Sequence, residues 1–574
     1  MSIFRRILTP TLLASFCLPA PAQLLGKLLN PTVTTATQGI SLAQLLSATD
    51  LGPTPASQPV TVRLGLQLQN KAALQSYVAA IGNPASPLYG QRLTPAQFKA
   101  LYSPSAAQVA QVTSWLSSVG FTGITVQPNN LIVSANGTAA IASAAFNTPL
   151  ESYAQFGRTV FGNTAAPAIP AALGPIVISV MGLNNIGLMK PTSTRSATST
   201  PQYLASYTAP QFVNIYGGTG TAPAAKTAIA IMAEGDLTGV ISDLRIAEGI
   251  SNEAQVPVTV IPTGAASTDT SGADEWDMDT QFSSGLAGTV STLYLYDAPD
   301  LTDADLAIEF SQWVTDDLAP AASASLGECE IFPYLDGSMA TDDATFLEAA
   351  AQGQTFFASA GDTGSFCPIG SLGANGVPAG APLVQYPAAS TYAIGVGGTT
   401  LITNTPGTSI SVSSLGTSLL NNSGPYNSEI SWYAGGGGLS LFEKASTWQT
   451  AAFAPIALTQ TRAVPDIAFD ADPNSGASVI VSGAAEGVGG TSLSSPSWLG
   501  IWARVLNANP KVGFAGPALY SLYNGTGLTG TYPEGGFHDI IVGVNGLYAA
   551  TPGYDLNTGL GTPIISQLLT ALAP

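Results

Sequence analysis

Gly489-Gly490-Thr491-Ser492-Leu493-Ser494-Ser495-Pro496 is the stretch around which the rest of the chain takes its meaning. Two glycines allow a sharp turn and a close approach of the backbone to a ligand, and the apolar run from Trp498 to Val505 beyond Pro496 suits a buried helix starting there. A hydroxyl beside a helix N-terminus sits where developing negative charge is favoured. Ser492 is therefore a candidate nucleophile. Taken alone, the stretch reads as readily as a Ser/Gly-rich loop opening an ordinary helix, so other residues decide.

The length of 574 residues exceeds one typical domain, and a 45% hydrophobic content implies large cores and two folded units. Only 9% of residues are charged and the formal net charge is -19, so the acidity comes from scarce Lys and Arg. Nucleic acid is not an expected partner. Residues 1–200 hold 10 Lys/Arg and 2 Asp/Glu, net +8, whereas 201–574 hold 6 and 33, net -27. This split fits either solvated faces or docking of the first part on the second through opposite charge.

Arg5-Arg6, the mainly apolar Ile7 to Leu18 and Ala20-Pro21-Ala22 read as a signal peptide over 1–22, hence a secreted protein. The apolar run is too short to span a bilayer, and no membrane span is expected. Cys17 would leave with the signal. Cys329 and Cys367 remain for an oxidising compartment, where one disulfide is favoured over two free thiols.

Residues 23–58 lack clear periodicity and read as a poorly ordered leader. An α+β unit follows over 59–185, with a strand at Val60 to Leu66, Thr94 as an N-cap before Pro95, and Val109, Val112, Trp115 and Leu116 at helical spacing. The Ser/Thr/Pro-rich stretch 186–203 reads as an exposed linker and a place for cleavage. Over 204–574, strand-like and helical runs alternate, which predicts a parallel sheet covered by helices on both faces. Sites in such folds gather at the carboxyl ends of strands, where Glu234 and Asp362 lie.

A serine nucleophile usually takes histidine as its base, and the one histidine, His538, reads as structural. A carboxylate is left for that role. In Gly272-Ala273-Asp274-Glu275-Trp276-Asp277-Met278-Asp279-Thr280-Gln281, Glu275 and Asp279 share one face of a helix with Trp276 able to shield them. Two such carboxyls share a proton in acid and can pass it on; as a solvated acidic face they would do nothing. Asp362 sits on a tight turn in Ser359-Ala360-Gly361-Asp362-Thr363-Gly364, as a turn residue or, protonated and facing Ser492, as a donor to an oxyanion.

Together these motifs resemble the sedolisin (serine-carboxyl) peptidases. The resemblance covers 204–574, is strongest over Glu275 to Gln281, and extends through Arg462, Pro465-Asp466 and Ala471-Asp472-Pro473. It implies a subtilisin-like α/β fold, a seven-stranded parallel sheet with helices on both faces. Ser492 would be the nucleophile, Glu275 the general base, Asp279 its proton-sharing partner and Asp362 the oxyanion donor. Glu234 matches a glutamate that supports the acidic network in some members. Ser325-Leu326-Gly327 would be the substrate edge, with Leu326 where many members have tryptophan, and a Cys329–Cys367 disulfide would brace that edge against the oxyanion loop.

A single structural calcium ion is also implied, held by Asp539 and Asp555 side chains and the carbonyls of Ile540, Thr551 and Gly553; Thr551 stands where a glycine is common, and the span between the aspartates is short. The first half resembles the family's activation domain through Tyr89, Leu93-Thr94-Pro95, Phe98, Trp115-Leu116, Gly137-Thr138, Ala145-Phe146, Tyr153 and Gly182-Leu183. A basic pro-domain would then inhibit an acidic enzyme, with protonation weakening its grip and cleavage in 186–203 releasing it. The expected protein is a secreted, acid-active endopeptidase made as a zymogen and acting on proteins or peptides. Three alternatives stay open: a silent secreted binding protein on a peptidase scaffold, a tripeptidyl-peptidase, and an ordinary subtilisin using His538.

Overall fold

The computed structural model describes residues 31–41, 44–45, 48–191, 194–195, 206–368, 380–403, 425–453, 460–523 and 535–574. The expected signal segment 1–22 lies outside them.

In the first unit the inward positions of β1 (Pro59–Leu66), among them Val60, Val62 and Leu64, pack with Val112, Leu116 and Phe146 into one core. β1 joins β2 (Thr122–Val126), β3 (Ile132–Thr138) and β4 (Val177–Met181) in an antiparallel sheet of order β2-β3-β1-β4. Thr94 caps its helix as expected, its side chain accepting from Gln97 N while the Gln97 side chain reaches back to the Thr94 amide.

Part of the supposed leader is structured. Thr32–Thr34 pairs with Ala168–Pro170, and Thr49–Pro53 pairs with Leu150–Gln155. These strands are short and largely exposed, and Thr49–Pro53 contains Gly and Pro, so they carry no alternating signature that a sequence reading could use.

The second unit is built on one large sheet. Its strands are β5 (Ile229–Glu234), β6 (Val258–Pro262), β7 (Leu293–Ala298), β8 (Ala321–Ala324), β10 (Thr355–Ser359), β11 (Ile394–Thr403), β12 (Tyr426–Ser431) and β13 (Ile467–Asp470), while β9 (Leu326–Cys329) stands apart from it. The order β6-β7-β5-β8-β10-β11-β13 is parallel throughout, seven strands as expected, and β12 adds an antiparallel pairing on the far half of β11. Helices α1 (Ala273–Ala287) and α4 (Thr491–Ala508) cover one face; α2 (Asp303–Asp316) and α3 (Ser338–Gln352) cover the other. The nearly continuous apolar strands, such as Ile229-Ala230-Ile231-Met232-Ala233, reflect this double cover.

The first unit sits on α2 and α3. Arg63 pairs with Asp305, Asn129 Nδ2 donates to Glu348 Oε2 at 2.7 Å, Ser179 and Thr341 hydroxyls meet at 2.6 Å, and Leu93 N donates to Ala351 O at 3.1 Å. A docking face is thus present, with Arg63–Asp305 the one opposite-charge pair among these contacts. The stretch after it, expected as an exposed linker, begins buried: Ile186 and Met189 are covered, and Lys190–Pro191 pairs with β9. Main-chain pairing, which Ser/Thr/Pro composition does not report, overrides the exposed reading.

α1 and α4 pack unusually closely. A Cβ at Gly500 would lie 2.3 Å from Ser283 O and 2.8 Å from Ala287 N, so only glycine fits where the helices touch. Arg504 on α4 donates to Leu286 O in the last turn of α1, a cation on the negative end of that helix. Gly500→Val should push the helices apart and cost about 1–3 kcal/mol, read as a lower urea midpoint; an unchanged midpoint would refute this close approach.

Candidate active site

Three segments bring side chains together at the carboxyl ends of β5, β8 and β10. On α1, Glu275 and Asp279 lie one turn apart, 1% and 0% exposed. Trp276 beside them is buried, and its Nε1 donates to Glu234 O at 2.8 Å, seating the helix against the end of β5.

Asp279 Oδ1 accepts from Ser325 Oγ at 2.6 Å, while Oδ2 has no hydrogen-bond partner among the described residues. Burial first, and the charge of Glu275 second, push the Asp279 carboxyl well above the usual range; the Ser325 bond works the other way. Buried together one helical turn apart, the pair holds a proton under conditions where free carboxyls have lost theirs.

The nucleophile candidate stands at the opening of α4. Gly490 has φ +111°, a conformation suited to glycine, and its amide bonds Ala471 O at 2.5 Å. Ser492 is the second residue of α4 and is buried. Pro496 has no amide proton for the carbonyl four residues earlier, which is that of Ser492. Ser325 Oγ lies 3.2 Å from this carbonyl and donates to it, so one hydroxyl links the Asp279 carboxyl to the helix that carries Ser492.

Asp362, in the turn after β10, is fastened to the same helix start. Thr491 donates to Asp362 Oδ1 from both its amide and its hydroxyl, each at 2.8 Å, and the Thr491 hydroxyl accepts from Gly361 N at 3.0 Å. The acidic pair, Ser492 and Asp362 therefore converge on one end of α4. Sequence reasoning missed Thr491 and the second use of Ser325. Thr491 stands in the quoted motif, but nothing local shows that its side chain turns to a residue 129 positions away.

Glu234 is buried at the end of β5, and its carboxyl accepts from Ser267 Oγ at 3.3 Å. Burial and neighbouring Asp269 raise it to about 7. Its hydrogen bond toward α1 comes from its main chain, through Trp276. His538 stacks flat on Tyr426 with ring centroids 3.7 Å apart, and burial lowers it to about 4. A base for ordinary subtilisin chemistry is not what this ring is set up to be.

The expected substrate edge is occupied. In β9, Leu326 and Gly327 pair antiparallel with Pro191 and Lys190, and further along Thr194 and Arg195 pair with Gly489 and Val488. The chain entering from the first unit is thus pinned on both sides of Ser492. Cys329, at the end of β9, and Cys367, just past Asp362, form a disulfide as expected.

Asp539 and Asp555 converge on one turn near the C-terminus. Both Asp539 oxygens accept from Gly553 N at 3.0 and 3.2 Å, and Asp555 Oδ2 accepts from Thr551 N at 2.9 Å. Burial raises Asp555 to about 6. Among the described residues no group of three or more His, Cys, Asp or Glu could hold a metal, so an ion here would need main-chain carbonyls to complete its shell.

The chain matches the family model for the pro-kumamolisin activation domain over residues 47–186 and that for the subtilase family over 205–523. The first match begins ahead of residue 59, in agreement with the strand at Thr49–Pro53. The chain is 35% identical over 555 residues to xanthomonalisin of Xanthomonas sp. (strain T-22), spanning 90% of this chain and 66% of that protein. It is 34% identical over 566 residues to sedolisin of Pseudomonas sp. (strain 101), spanning 94% and 91%. A solved structure of Pseudomonas sedolisin, a serine-carboxyl proteinase complexed with two molecules of pseudo-iodotyrostatin, is similar with a TM-score of 0.55 at 32% identity, covering 64% of this chain and 98% of that one.

Proposed function

Because the chain belongs to the sedolisin family of serine-carboxyl peptidases, with an activation domain ahead of a subtilisin-like domain, we propose that it is a secreted, acid-active serine endopeptidase made as a zymogen. The pair of hydrogen bonds that Thr491 donates to Asp362 Oδ1, which fastens that carboxyl to the helix start bearing Ser492, carries this reading. Ser492 Oγ attacks the scissile carbonyl carbon and its proton passes to Glu275, with Asp279 sharing the proton held by the pair. The oxyanion accepts a hydrogen bond from protonated Asp362 at the positive end of α4. The amine leaves with the proton returned by Glu275, and water then hydrolyses the acyl-enzyme. An ionised Asp362 would repel the oxyanion, so turnover falls as pH rises. Ser492→Ala and Glu275→Gln should each lose about 10³-fold or more in kcat on a peptide substrate, and wild type should be active only in acid. Full activity of either variant, or a wild-type optimum at neutral pH, would refute the mechanism.

The linker crosses this site with Lys190–Pro191 on the substrate edge and Thr194–Arg195 beyond Ser492, in the manner of a bound peptide added as a strand. We place the processing cut between Pro191 and Thr194. The interface carboxyls carry a linkage opposite to simple acid loosening. Burial raises Glu348 to about 8, against its bond from Asn129, and raises Glu328 to about 8 and Asp305 to about 6, the last despite Arg63. If departure of the pro-domain returns these groups to water and to the ordinary carboxyl range, docking takes up protons, so the grip strengthens as pH falls from about 8 toward 4. Acid then acts on the cleavage step. Acid-incubated wild type should show a new N-terminus within this interval, whereas Ser492→Ala should stay intact and keep α3 amides protected from hydrogen exchange at pH 4 as at pH 7. Loss of that protection in the uncut variant would show that acid loosens the grip.

Asp539 and Asp555 with the carbonyls of Ile540, Thr551 and Gly553 would supply a calcium ion with oxygen donors only, and the bonds from the Gly553 and Thr551 amides draw both carboxyls to the 551–555 turn. Calcium at a hundredfold excess over its Kd should stabilise the protein by about 2.7 kcal/mol. The Tm should rise with calcium and fall with chelator, and Asp539→Asn should abolish the difference; a wild-type Tm indifferent to chelator would remove calcium from the assignment.

A further inference from the structure

The turn that carries Asp362 is held from outside the catalytic residues, and the holding contacts converge on two side chains. Ser365, three residues beyond Asp362, is 1% exposed. Its amide donates to Asn545 O at 2.8 Å, its hydroxyl donates to the same carbonyl at 3.1 Å, and that hydroxyl accepts from Leu547 N at 2.8 Å. The contact is close on both sides. A Cβ on Gly364 would lie 2.4 Å from Asn545 O, and one on Gly546 would lie 2.8 Å from Ser365 Oγ.

Asn545 in turn donates from Nδ2 to Gly435 O at 3.1 Å. The segment 434–436 reaches back to the turn on either side of Asp362: Gly436 N donates to Gly361 O at 2.7 Å, and Gly364 N donates to Ala434 O at 2.7 Å. Hydrogen bonds thus close a ring that runs through Gly361, segment 434–436, Asn545 and Ser365, with Asp362 inside it. The 541–547 loop gives its main chain to this ring while Ile541, Val542, Val544 and Leu547 stay more than half exposed. Its apolar side chains are not what holds it.

We propose that Ser365 and Asn545 are positioning residues for the oxyanion donor, holding the Asp362 carboxyl where charge develops in the transition state. This rests on the role given to Asp362 above. A donor aimed at a developing charge works through its placement, and displacement on the scale of an ångström costs catalysis without costing ground-state binding. Thr491 fixes one oxygen of Asp362 directly; the Ser365 and Asn545 contacts fix the backbone from which that carboxyl projects.

The test compares Ser365→Ala, Asn545→Ala and Ser365→Cys with wild type and Asp362→Ala. A peptide aldehyde, whose adduct with Ser492 carries the tetrahedral oxygen, is set against the matching alcohol, which forms no adduct. Each Ser365 or Asn545 variant should lose about tenfold in kcat with KM within twofold, and aldehyde affinity should fall by the same factor while alcohol affinity holds. Ser365→Thr, if it keeps the hydroxyl bonds, should recover most of the loss. Three results would overturn the proposal: kcat unchanged in folded Ser365→Ala, a loss confined to KM, or equal weakening of aldehyde and alcohol. Asp362→Ala, which leaves no donor at this position, reports separately, because an active Asp362→Ala defeats the oxyanion reading itself, whereas an inactive one beside a fully active Ser365→Ala defeats only this inference.

Discussion

Glu275 and Asp279 face each other one helical turn apart with almost no exposure to water, and two negative charges do not persist in such a place. One of them must hold a proton. That constraint sets the terms for what surrounds it. On the proposed mechanism the pair supplies a base without histidine, and a carboxyl at the oxyanion must also be neutral to help, which it is only in acid. The helix bearing the pair must be immobile as well. Trp276 ties its start to Glu234 O, Arg504 covers its last turn, and Gly500 lets the nucleophile's helix lie against it.

How far the sequence discloses this depends on whether a feature is local. The Glu275/Asp279 spacing, the glycines ahead of Ser492 and the alternation of apolar runs each lie within one element, so helix period, turn chemistry and double burial make them legible. The parallel sheet follows from that alternation, with the family resemblance adding its seven strands, while the Cys329–Cys367 bridge follows from cysteine count and compartment. The Thr491 to Asp362 bonds, the Ser325 hydroxyl shared between Asp279 and the Ser492 carbonyl, and the ring around Ser365 join residues far apart in the chain. No periodicity encodes such returns.

Two misreadings share one cause. The strands at Thr32–Thr34 and Thr49–Pro53 and the buried start of the linker are held by main-chain pairing. Main-chain bonds are nearly indifferent to side-chain type, so Gly, Pro, Ser and Thr there read as loop. The same indifference is useful at Lys190–Pro191. An edge that recognises backbone accepts its own linker as it would accept a substrate, and the specificity of processing then lies in tethering, which makes the local concentration of this one segment high.

A pro-domain that docks by burying carboxyls faces an electrostatic consequence. Glu348, Glu328 and Asp303 under its contacts all have raised proton affinity, so if undocking returns them to water, acid stabilises the complex. Reversible docking alone would leave the enzyme most tightly inhibited where its chemistry is most competent. A covalent step removes the difficulty. On the proposed mechanism, the conditions that strengthen the grip also favour a neutral Asp362 and a proton on the acidic pair, so the linker held at Lys190–Pro191 and Thr194–Arg195 becomes cleavable there. Once it is cut, the effective concentration that tethering gave is lost, and dilution separates the domains even though each contact is individually stronger. Inhibition and activation can thus both rest on carboxyl protonation, with the order set by chemistry at a single peptide bond.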